Sequence, residues 1–235
     1  MKITGIIPSR YASSRFPGKP LVDIGGKTMI RRVYEQAVQA KSLSEVIVAT
    51  DDESIFKEVQ SFGGNVIMTS ASHNNGTERC AEIALTLDAD VIINIQGDEP
   101  FIHSEQIDLL ANLFTDANVQ IGTLIKEHAL NEELENPARI KVVLNKNMEA
   151  LYFSRSVIPY LRDGIAHQYY KHIGIYGYRK NILNEIVKLL PSPLELAESL
   201  EQLRWLENGY RIKCAVTTHD SLSVDTPEDL ANIHI

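Results

Sequence analysis

Three cations, Arg10, Arg15 and Lys19, lie within one short stretch near the start of the chain. Small residues let a backbone approach a ligand closely, and successive backbone N–H groups with fixed cations form an anion-binding concavity. The stretch combines those cations with the small residues Ser9, Ala12, Ser13, Ser14 and Gly18. It is therefore a candidate phosphate site, with a basic surface loop as the alternative.

This stretch differs from the two common phosphate-binding motifs. Gly18-Lys19 matches the end of a P-loop, but Pro20 stands where that motif needs Ser or Thr, and the earlier glycine is missing. The apolar run before the stretch, Ile3 to Pro8, predicts a strand. No G-x-G-x-x-G follows this strand, so the sequence does not predict a dinucleotide site.

The charge distribution favours a small anion over a polyanion. The 235-residue chain has 23 Lys+Arg and 31 Asp+Glu, a net charge of −8. Residues 1–32 nevertheless contain seven cations and a single acid, Asp23. A chain this acidic repels nucleic acid over most of its surface, whereas one cationic end suits a phosphate held at one place. We expect no nucleic-acid partner.

Two carboxylates are candidate metal ligands. Asp98 follows the apolar run Val91 to Ile95 directly, which would place it at the carboxyl end of a strand. Mg²⁺ prefers one or two carboxylates together with phosphate oxygens and water. Asp225 precedes Thr226, which with Asp229 predicts a capping box and leaves Asp225 without a capping role. A surface turn is the alternative for each aspartate.

The elements that must position these residues follow a regular pattern in the first half. Short apolar runs alternate with amphipathic ones, which predicts an α/β fold with an open, mostly parallel twisted sheet and helices on both faces. Ligands of such folds bind beyond the carboxyl ends of the strands. The predicted strands are Ile3–Pro8, Glu45–Thr50, Val66–Met68 and Val91–Ile95, and the helices are Thr28–Lys41, Ser54–Phe62, Glu78–Leu87 and Ser104–Phe114.

The second half is less regular and predicts a smaller mixed α/β elaboration within one domain, residues 1–235. Alternation along one of its strands places His172 and Tyr176 on the same face. The predicted elements are strands at Ile140–Leu144, Leu151–Ser154, Lys171–Tyr178 and Arg211–Thr217, with helices at Ile182–Leu190 and Glu195–Glu207.

Bulk properties predict a cytoplasmic protein. No apolar run approaches membrane length, so we expect no membrane partner. The chain enters its first strand without the pattern of a signal peptide. Cys80 and Cys214 are far apart in sequence, and we expect both to be buried reduced thiols.

Ordered motifs along the whole chain resemble those of the 3-deoxy-manno-octulosonate cytidylyltransferases, a family of nucleotide-diphospho-sugar transferases. The resemblance rests on Ile6–Leu21, Ala49–Asp51, Gly76–Arg79, Asn94–Pro100, Leu151–Arg155, Lys171–Tyr178, Leu200–Arg204 and Val224–Asp229. It implies transfer of CMP from CTP to 3-deoxy-D-manno-octulosonate (Kdo) with Mg²⁺, by a homodimer serving lipopolysaccharide biosynthesis. The expected mechanism is a direct in-line displacement at the α-phosphorus.

The resemblance also implies a role for individual residues. Mg²⁺ would be held by Asp98 and Asp225, which with Lys19 form the catalytic set. The nucleotide would contact Arg10, Ser13, Arg15, Lys19, Asn75, Gly76 and Thr77. The sugar acid would contact Arg79, Gln96, His172, Tyr176, Glu201 and Gln202.

The residues by themselves leave alternatives open. His172 and Tyr176 also suit a half-exposed strand, Glu201 suits a solvated helix face, and Arg79 suits a structural ion pair.

The activity has alternatives as well. Another sugar acid, such as 8-amino-Kdo, could be the acceptor, and a non-catalytic nucleotide-binding subunit is a remote alternative.

Overall fold

The computed structural model of the chain describes residues 1–12, 16–128, 134–163, 167–220, 223–224 and 226–231. Strands make up the centre of the described part. They are β1 Ile3–Ser9, β2 Asp23–Ile24, β3 Lys27–Thr28, β4 Glu45–Thr50, β5 Val66–Met68, β6 Val91–Asn94, β7 Ile121–Glu127, β8 Lys141–Leu144, β9 Ala150–Ser154, β10 Tyr170–Arg179 and β11 Ile212–Val216.

The helices begin where side chains cap their free N–H groups. Asp52 accepts hydrogen bonds from Ser54 N and Ile55 N, and Thr28 accepts one from Arg31 N. The helices are α1 Met29–Ala37, α2 Glu53–Ser61, α3 Gly76–Thr86, α4 Ser104–Asn112, α5 Lys180–Ile186, α6 Pro193–Glu198, α7 Gln202–Glu207 and α8 Pro227–Ala231, with 3₁₀ turns at Lys19–Leu21 and Leu113–Thr115.

Nine strands form one mixed sheet in the order β11-β7-β10-β6-β1-β4-β5, with β8 paired to β10 and β9 paired to β8. The neighbours β6, β1, β4 and β5 are parallel, so their carboxyl ends meet at one edge. Strand β10 runs antiparallel to both β6 and β7. The predicted α/β sheet is therefore confirmed, with the second half contributing the antiparallel part.

Helices cover both faces of this sheet. Neighbouring strand residues point to opposite faces, so Ile6 and Ile92 belong to one buried core while Ile7 and Ile93 belong to the other. Residues of α3, α5 and α7 fill the first core. Residues of α1, α2 and α4 fill the second. The two cores fix the sheet edge at which the candidate residues meet.

Several predicted elements differ from the structure. The predicted helix Glu195–Glu207 is wrong as one element, because α6 ends at Glu198 and the next residue, Ser199, has a φ of 52° in the left-handed region. Strand β7 was not predicted. In the part of the chain that the structure describes, no helix has the length and apolar character needed to cross a bilayer.

Two local predictions are confirmed. Thr226 Oγ1 accepts a hydrogen bond from Asp229 N at 3.2 Å, and Thr226 N donates to Asp229 Oδ2 at 2.8 Å, which completes the capping box before α8. Cys80 and Cys214 are both buried free thiols. The capping box fixes the chain immediately after Asp225.

Candidate active site

A cavity of about 310 Å³ lies at the carboxyl edge of the parallel strands. Its walls come from the ends of β1 and β6, the 3₁₀ turn at residues 19–21 and the start of α3. This is the edge at which the sequence predicts ligand binding. The lining residues are Pro8, Ser9, Arg10, Lys19, Pro20, His73, Asn74, Asn75, Gly76, Arg79, Gln96, Gly97 and Asp98.

Lys19 and Asp98 meet across this cavity. Lys19 Nζ donates to Asp98 Oδ2 at 2.8 Å, although 79 positions separate the two residues. Gly18 makes the turn before Lys19 with a φ of 72°, a conformation that glycine adopts without strain. The backbone N–H of Gly18 also donates to Tyr11 O at 3.0 Å, which closes the loop. The turn therefore aims the Lys19 ammonium at the end of β6.

Glycines let the surrounding loops approach the end of β1. A Cβ atom on Gly97 would lie 2.9 Å from Pro8 O, and one on Gly76 would lie 3.0 Å from Pro8 Cγ. Real Cβ atoms rarely come so close to other heavy atoms. Glycine at position 97 therefore lets its loop pack against the Pro8 backbone, and a side chain at position 76 would require Pro8 to shift by a few tenths of an ångström.

The start of α3 is tied to α7 by the partly buried Glu201. Asn75 caps α3 by accepting a hydrogen bond from Glu78 N at 2.8 Å. Asn75 Nδ2 donates to Glu201 Oε1 at 3.2 Å, and Thr77 Oγ1 donates to Glu201 Oε2 at 2.9 Å. Burial raises the pKa of Glu201 to about 7, although the Thr77 hydrogen bond opposes this effect. The expected solvated helix face at Glu201 is therefore wrong.

An aromatic group lies beside this glutamate. The ring of His172 lies 5.2 Å from that of Tyr176, and Tyr176 and Tyr178 both meet Trp205 of α7 edge-on. Burial lowers the pKa of His172 to about 3, so its imidazole is neutral at ordinary pH. His172 Nε2 lies 3.0 Å from Thr123 Oγ1. The predicted shared face of His172 and Tyr176 is confirmed.

Arg79 is an ion-pair partner as well as a wall residue of the cavity. Its Nη2 donates to Asp51 Oδ2 at 2.9 Å, and its Nη1 donates to Thr69 Oγ1. The Arg79 side chain is only 3% exposed. These contacts agree with the alternative that Arg79 forms a structural ion pair. Binding of the sugar carboxylate by Arg79 stays a prediction.

The structure brings only part of the predicted site together. Among the predicted residues, the cavity is lined by Arg10, Lys19, Asn75, Gly76, Arg79, Gln96 and Asp98. Thr77 joins this group through Glu201. Four of the predicted sugar contacts, His172, Tyr176, Glu201 and Gln202, do not line it. The predicted residues Ser13, Arg15 and Asp225 lie outside the described residues.

The chain next to Asp225 nevertheless contacts the Asp98 segment. Val224 N donates to the backbone oxygen of Asp98 at 2.9 Å. Val224 precedes Asp225 directly in the sequence. This backbone bond holds the two predicted metal-binding segments side by side.

Sequence reasoning missed two residues of the cavity wall, His73 and Asn74. His73 pairs with Glu82, and its Nδ1 also lies 3.8 Å from Glu78 Oε2. Asn74 N donates to Glu78 Oε2 at 2.8 Å. The sequence offered one indication of their role, because both residues directly precede the predicted site residue Asn75. Neighbouring residues in a loop commonly line the same pocket.

The site places a cationic loop after β1 opposite a carboxylate after the neighbouring strand β6, an arrangement that suits a phosphate and a metal ion at the edge of an α/β sheet. A family model described as cytidylyltransferase matches residues 4–212. The 3-deoxy-manno-octulosonate cytidylyltransferase of Parabacteroides distasonis is 55% identical over 242 residues, covering 98% of this chain and 96% of that protein. That of Fusobacterium nucleatum is 52% identical, covering 99% and 96%. The chain belongs to the cytidylyltransferase family.

Solved structures agree with this family. A CMP:2-keto-3-deoxy-manno-octonic acid synthetase complexed with CTP superposes with a TM-score of 0.94 at 44% identity, covering 98% of this chain and 96% of that one. A glucose-1-phosphate thymidylyltransferase from Bacillus anthracis superposes with a TM-score of 0.68 at 18% identity, covering 99% and 97%. The second likeness concerns the fold alone.

Proposed function

We propose that this chain transfers CMP from CTP to the anomeric hydroxyl of Kdo, which yields CMP-Kdo and diphosphate for lipopolysaccharide biosynthesis. The chief support in the structure is the cavity in which Lys19 faces Asp98 beside the start of α3. Relatives of more than 50% identity over nearly the whole chain share this activity in their names. One nucleotide and one sugar acid are therefore the proposed ligands.

The nucleotide would lie with its phosphates near Arg10 and Lys19. Both cations line the cavity, and so does Gly76 at the N-terminus of α3. Helix N-termini favour an anion. Asn75 and Gly76 at that helix start would lie close to the cytosine. The side chain of Asn75 is held by Glu201, so its position is set before the nucleotide binds.

The sugar acid would occupy the side of the site nearest Gln96, Glu201 and the aromatic group. Rings such as those of His172 and Tyr176 present flat surfaces on which a sugar ring can pack. The neutral imidazole of His172 can donate or accept a hydrogen bond without adding charge. Glu201, at a pKa of about 7, is close to the balance between a neutral acid and a carboxylate.

The proposed reaction is a direct in-line displacement. The anomeric hydroxyl of Kdo attacks the α-phosphorus, the bond to the β-phosphate oxygen breaks, and diphosphate leaves. Positioning and charge stabilisation supply most of the catalysis in such reactions. The cations Arg10 and Lys19 would stabilise the negative charge that develops on diphosphate.

Asp98 suits a magnesium ion in both chemistry and place. Its carboxylate is a hard oxygen donor on the cavity wall, and its present partner there is the Lys19 ammonium. Asp225, the residue after Val224, is the proposed second ligand. When bound, Mg²⁺ neutralises phosphate charge and favours deprotonation of the attacking hydroxyl. Lys19 would then be released to the phosphates.

We also propose a homodimer and a cytoplasmic location. Large apolar side chains are exposed in the second half of the chain, at Leu151, Tyr160, Leu190 and Leu196. Exposed apolar groups of this kind mark protein interfaces when they are contiguous. Light scattering after size exclusion tests the dimer. Buried reduced thiols such as Cys80 and Cys214 are typical of the cytoplasm.

The decisive assay for the function measures diphosphate release from CTP with Kdo and Mg²⁺. We expect turnover that needs all three components. The chain should prefer CTP over UTP, GTP and ATP. Parallel reactions with 8-amino-Kdo and other sugar acids compare kcat/KM and identify the acceptor.

Each outcome of that assay separates the alternatives. A higher kcat/KM with 8-amino-Kdo would replace the acceptor but keep the cytidylyltransferase chemistry. The absence of diphosphate release with every sugar acid, despite CTP binding, would support the non-catalytic subunit instead. Release without any sugar acid would indicate CTP hydrolysis and contradict the proposed transfer.

A further inference from the structure

Two histidines and a glutamate meet outside the cavity. Among the described residues, His103, Glu105 and His219 form the one group of three whose ligand atoms lie close enough to share a metal ion, all within 4.8 Å of one another. His103 and Glu105 lie at the start of α4, and His219 lies in the loop after β11. Neither the nucleotide nor the sugar acid is proposed to contact this group.

The distances in this group are close to those of a metal site. His219 Nε2 lies 3.2 Å from Glu105 Oε2, and His103 Nδ1 lies 4.0 Å from the same oxygen. Two donor atoms bound to one tetrahedral zinc ion at about 2 Å lie roughly 3.3 Å apart. One pair already has this spacing. Of the other two pairs, His103 and Glu105 need a shift of less than about 1 Å, and the two imidazole nitrogens, which lie within 4.8 Å of one another, need at most about 1.5 Å. The half-exposed His103 ring can make shifts of this size by rotation.

The backbones that support both histidines are fixed by one buried residue. His103 N donates to Gln106 Oε1 at 3.2 Å, and Gln106 Nε2 donates to His219 O at 3.5 Å. Gln106 is 1% exposed. A second bond, from His219 N to Thr217 Oγ1 at 3.2 Å, holds the loop after β11. The separation of the two histidines is therefore set by the fold.

The chemistry of this group selects the kind of ion. Two imidazoles and one carboxylate suit Zn²⁺, Ni²⁺ or Cu²⁺, whereas Mg²⁺ and Ca²⁺ prefer oxygen ligands alone. The rings of His103 and His219 stack with centroids 4.1 Å apart, and one nitrogen of each ring lies within 4.8 Å of the other. We infer that His103, Glu105 and His219 form a surface site for a zinc-type divalent cation, distinct from the magnesium site.

The position of this site gives it a structural consequence. His103 lies five residues after Asp98, and His219 lies five residues before Val224. Asp98 and Val224 are joined by a backbone hydrogen bond. A cation held by the two histidines adds a further link between the same two segments. It therefore stabilises the folded chain by an amount that grows with the logarithm of the cation concentration divided by its Kd.

Zinc titration of the full chain tests the inference. Isothermal calorimetry in a chelator-free buffer without CTP measures the affinity and the number of ions bound. We expect one strongly bound Zn²⁺ per chain, unaffected by excess Mg²⁺. Loss of a residue that only supports a metal ligand typically lowers metal affinity ~10–100-fold. His219 is a proposed direct ligand, so His219→Ala should lower the zinc affinity by at least this factor. The control is His167→Ala, an exposed histidine outside this group.

Thermal unfolding gives the second readout. Zn²⁺ should raise the Tm of the wild-type chain and of His167→Ala, and should leave His219→Ala unchanged. Glu105→Gln should also lose zinc affinity. Because Glu105 is exposed and glutamine has nearly the same size, this variant should fold normally, so it tests the inference even if His219→Ala does not fold. Equal zinc affinity in wild type, His219→Ala and Glu105→Gln would overturn the inference, as would no zinc binding at micromolar concentration.

Discussion

The ammonium of Lys19 lies 2.8 Å from the carboxylate of Asp98. Lys19 comes from the loop after β1, and Asp98 comes from the end of β6, so the contact joins the two motifs that the sequence singles out. The Lys19 side chain is 13% exposed and the Asp98 side chain is 28% exposed, so a ligand in the cavity can contact both. A phosphate could replace the Asp98 carboxylate as the partner of Lys19, because both are negatively charged. A metal cation could likewise replace the Lys19 ammonium as the partner of Asp98.

Replacing either proposed metal ligand should abolish most of the turnover. Asp98→Asn and Asp225→Asn keep side-chain size but remove the negative charge. We expect kcat for diphosphate release to fall by more than about a hundredfold, the size of losing a main electrostatic contact. Circular dichroism checks the fold. Near-normal kcat in both variants would remove the metal assignment.

Lys19→Ala should weaken use of CTP. The variant removes a cation from the cavity and leaves Asp98 without its ammonium partner, so we expect kcat/KM for CTP to fall at least about tenfold. Lys27→Ala is the matched control, because Lys27 pairs with Glu35 outside the cavity. Equal kcat/KM values in the two variants would show that only net charge matters.

Arg79→Met should destabilise the fold. Removing one partner of a fully buried ion pair costs about 3–5 kcal/mol, because the other charge stays buried without compensation. We expect a smaller loss of unfolding free energy here, because water still reaches the remaining carboxylate. The remaining partner here is Asp51, whose side chain is 17% exposed. Urea unfolding measures the loss, and Arg79→Met with Asp51→Asn should recover part of it. An unchanged unfolding free energy together with a raised KM for Kdo would favour a purely substrate-binding role.

Glu201 should make stability fall as pH rises from about 4.5 to 7. Burial raises its pKa from 4.5 to about 7, so the folded state binds more protons than the unfolded state in this interval. The shift corresponds to on the order of 3 kcal/mol. Unfolding free energies of wild type and Glu201→Gln, measured at pH 5 and pH 8, should differ in their pH dependence by this amount.

An exposed glutamate provides the control for that measurement. Glu53 is 72% exposed, so Glu53→Gln should keep the wild-type pH dependence. The same pH dependence in wild type and Glu201→Gln would contradict the raised pKa. Other charged groups that influence Glu201, and that remain in both variants, are Arg204, Glu195 and Glu78.

Continuous apolar strands were the most predictable part of the fold. Glu45–Thr50 and Val66–Met68 both have the predicted bounds. Glu45–Thr50 is a buried parallel strand, which forms a continuous apolar run, whereas Val66–Met68 is a short and partly exposed edge strand that is apolar as well. Strand β7 escaped prediction since Gly122 and Thr123 interrupt its apolar pattern. Gly122 has a packing role there, with a Cβ position 3.1 Å from Leu113.

Long-range contacts were beyond prediction from residue patterns. The helix break at Ser199 has no glycine or proline to signal it, and it places Glu201 at the start of α7 rather than on a solvated face. The hydrogen bonds from Asn75 and Thr77 to Glu201 span more than 120 positions. The spacing of residues within a short segment cannot indicate such distant partners. The phosphate-binding character of the loop from Arg10 to Lys19 could be predicted, because its cations and small residues are close together in the sequence.

A crystal structure of the chain with CTP and Mg²⁺, in the absence of Kdo, tests the central claim most directly. We predict that the triphosphate contacts Arg10 and Lys19 in the cavity, and that Asp98 and Asp225 share a magnesium ion beside it. A CTP molecule bound away from this cavity, or a loaded state in which the two aspartates are far apart and hold no metal, would contradict the account.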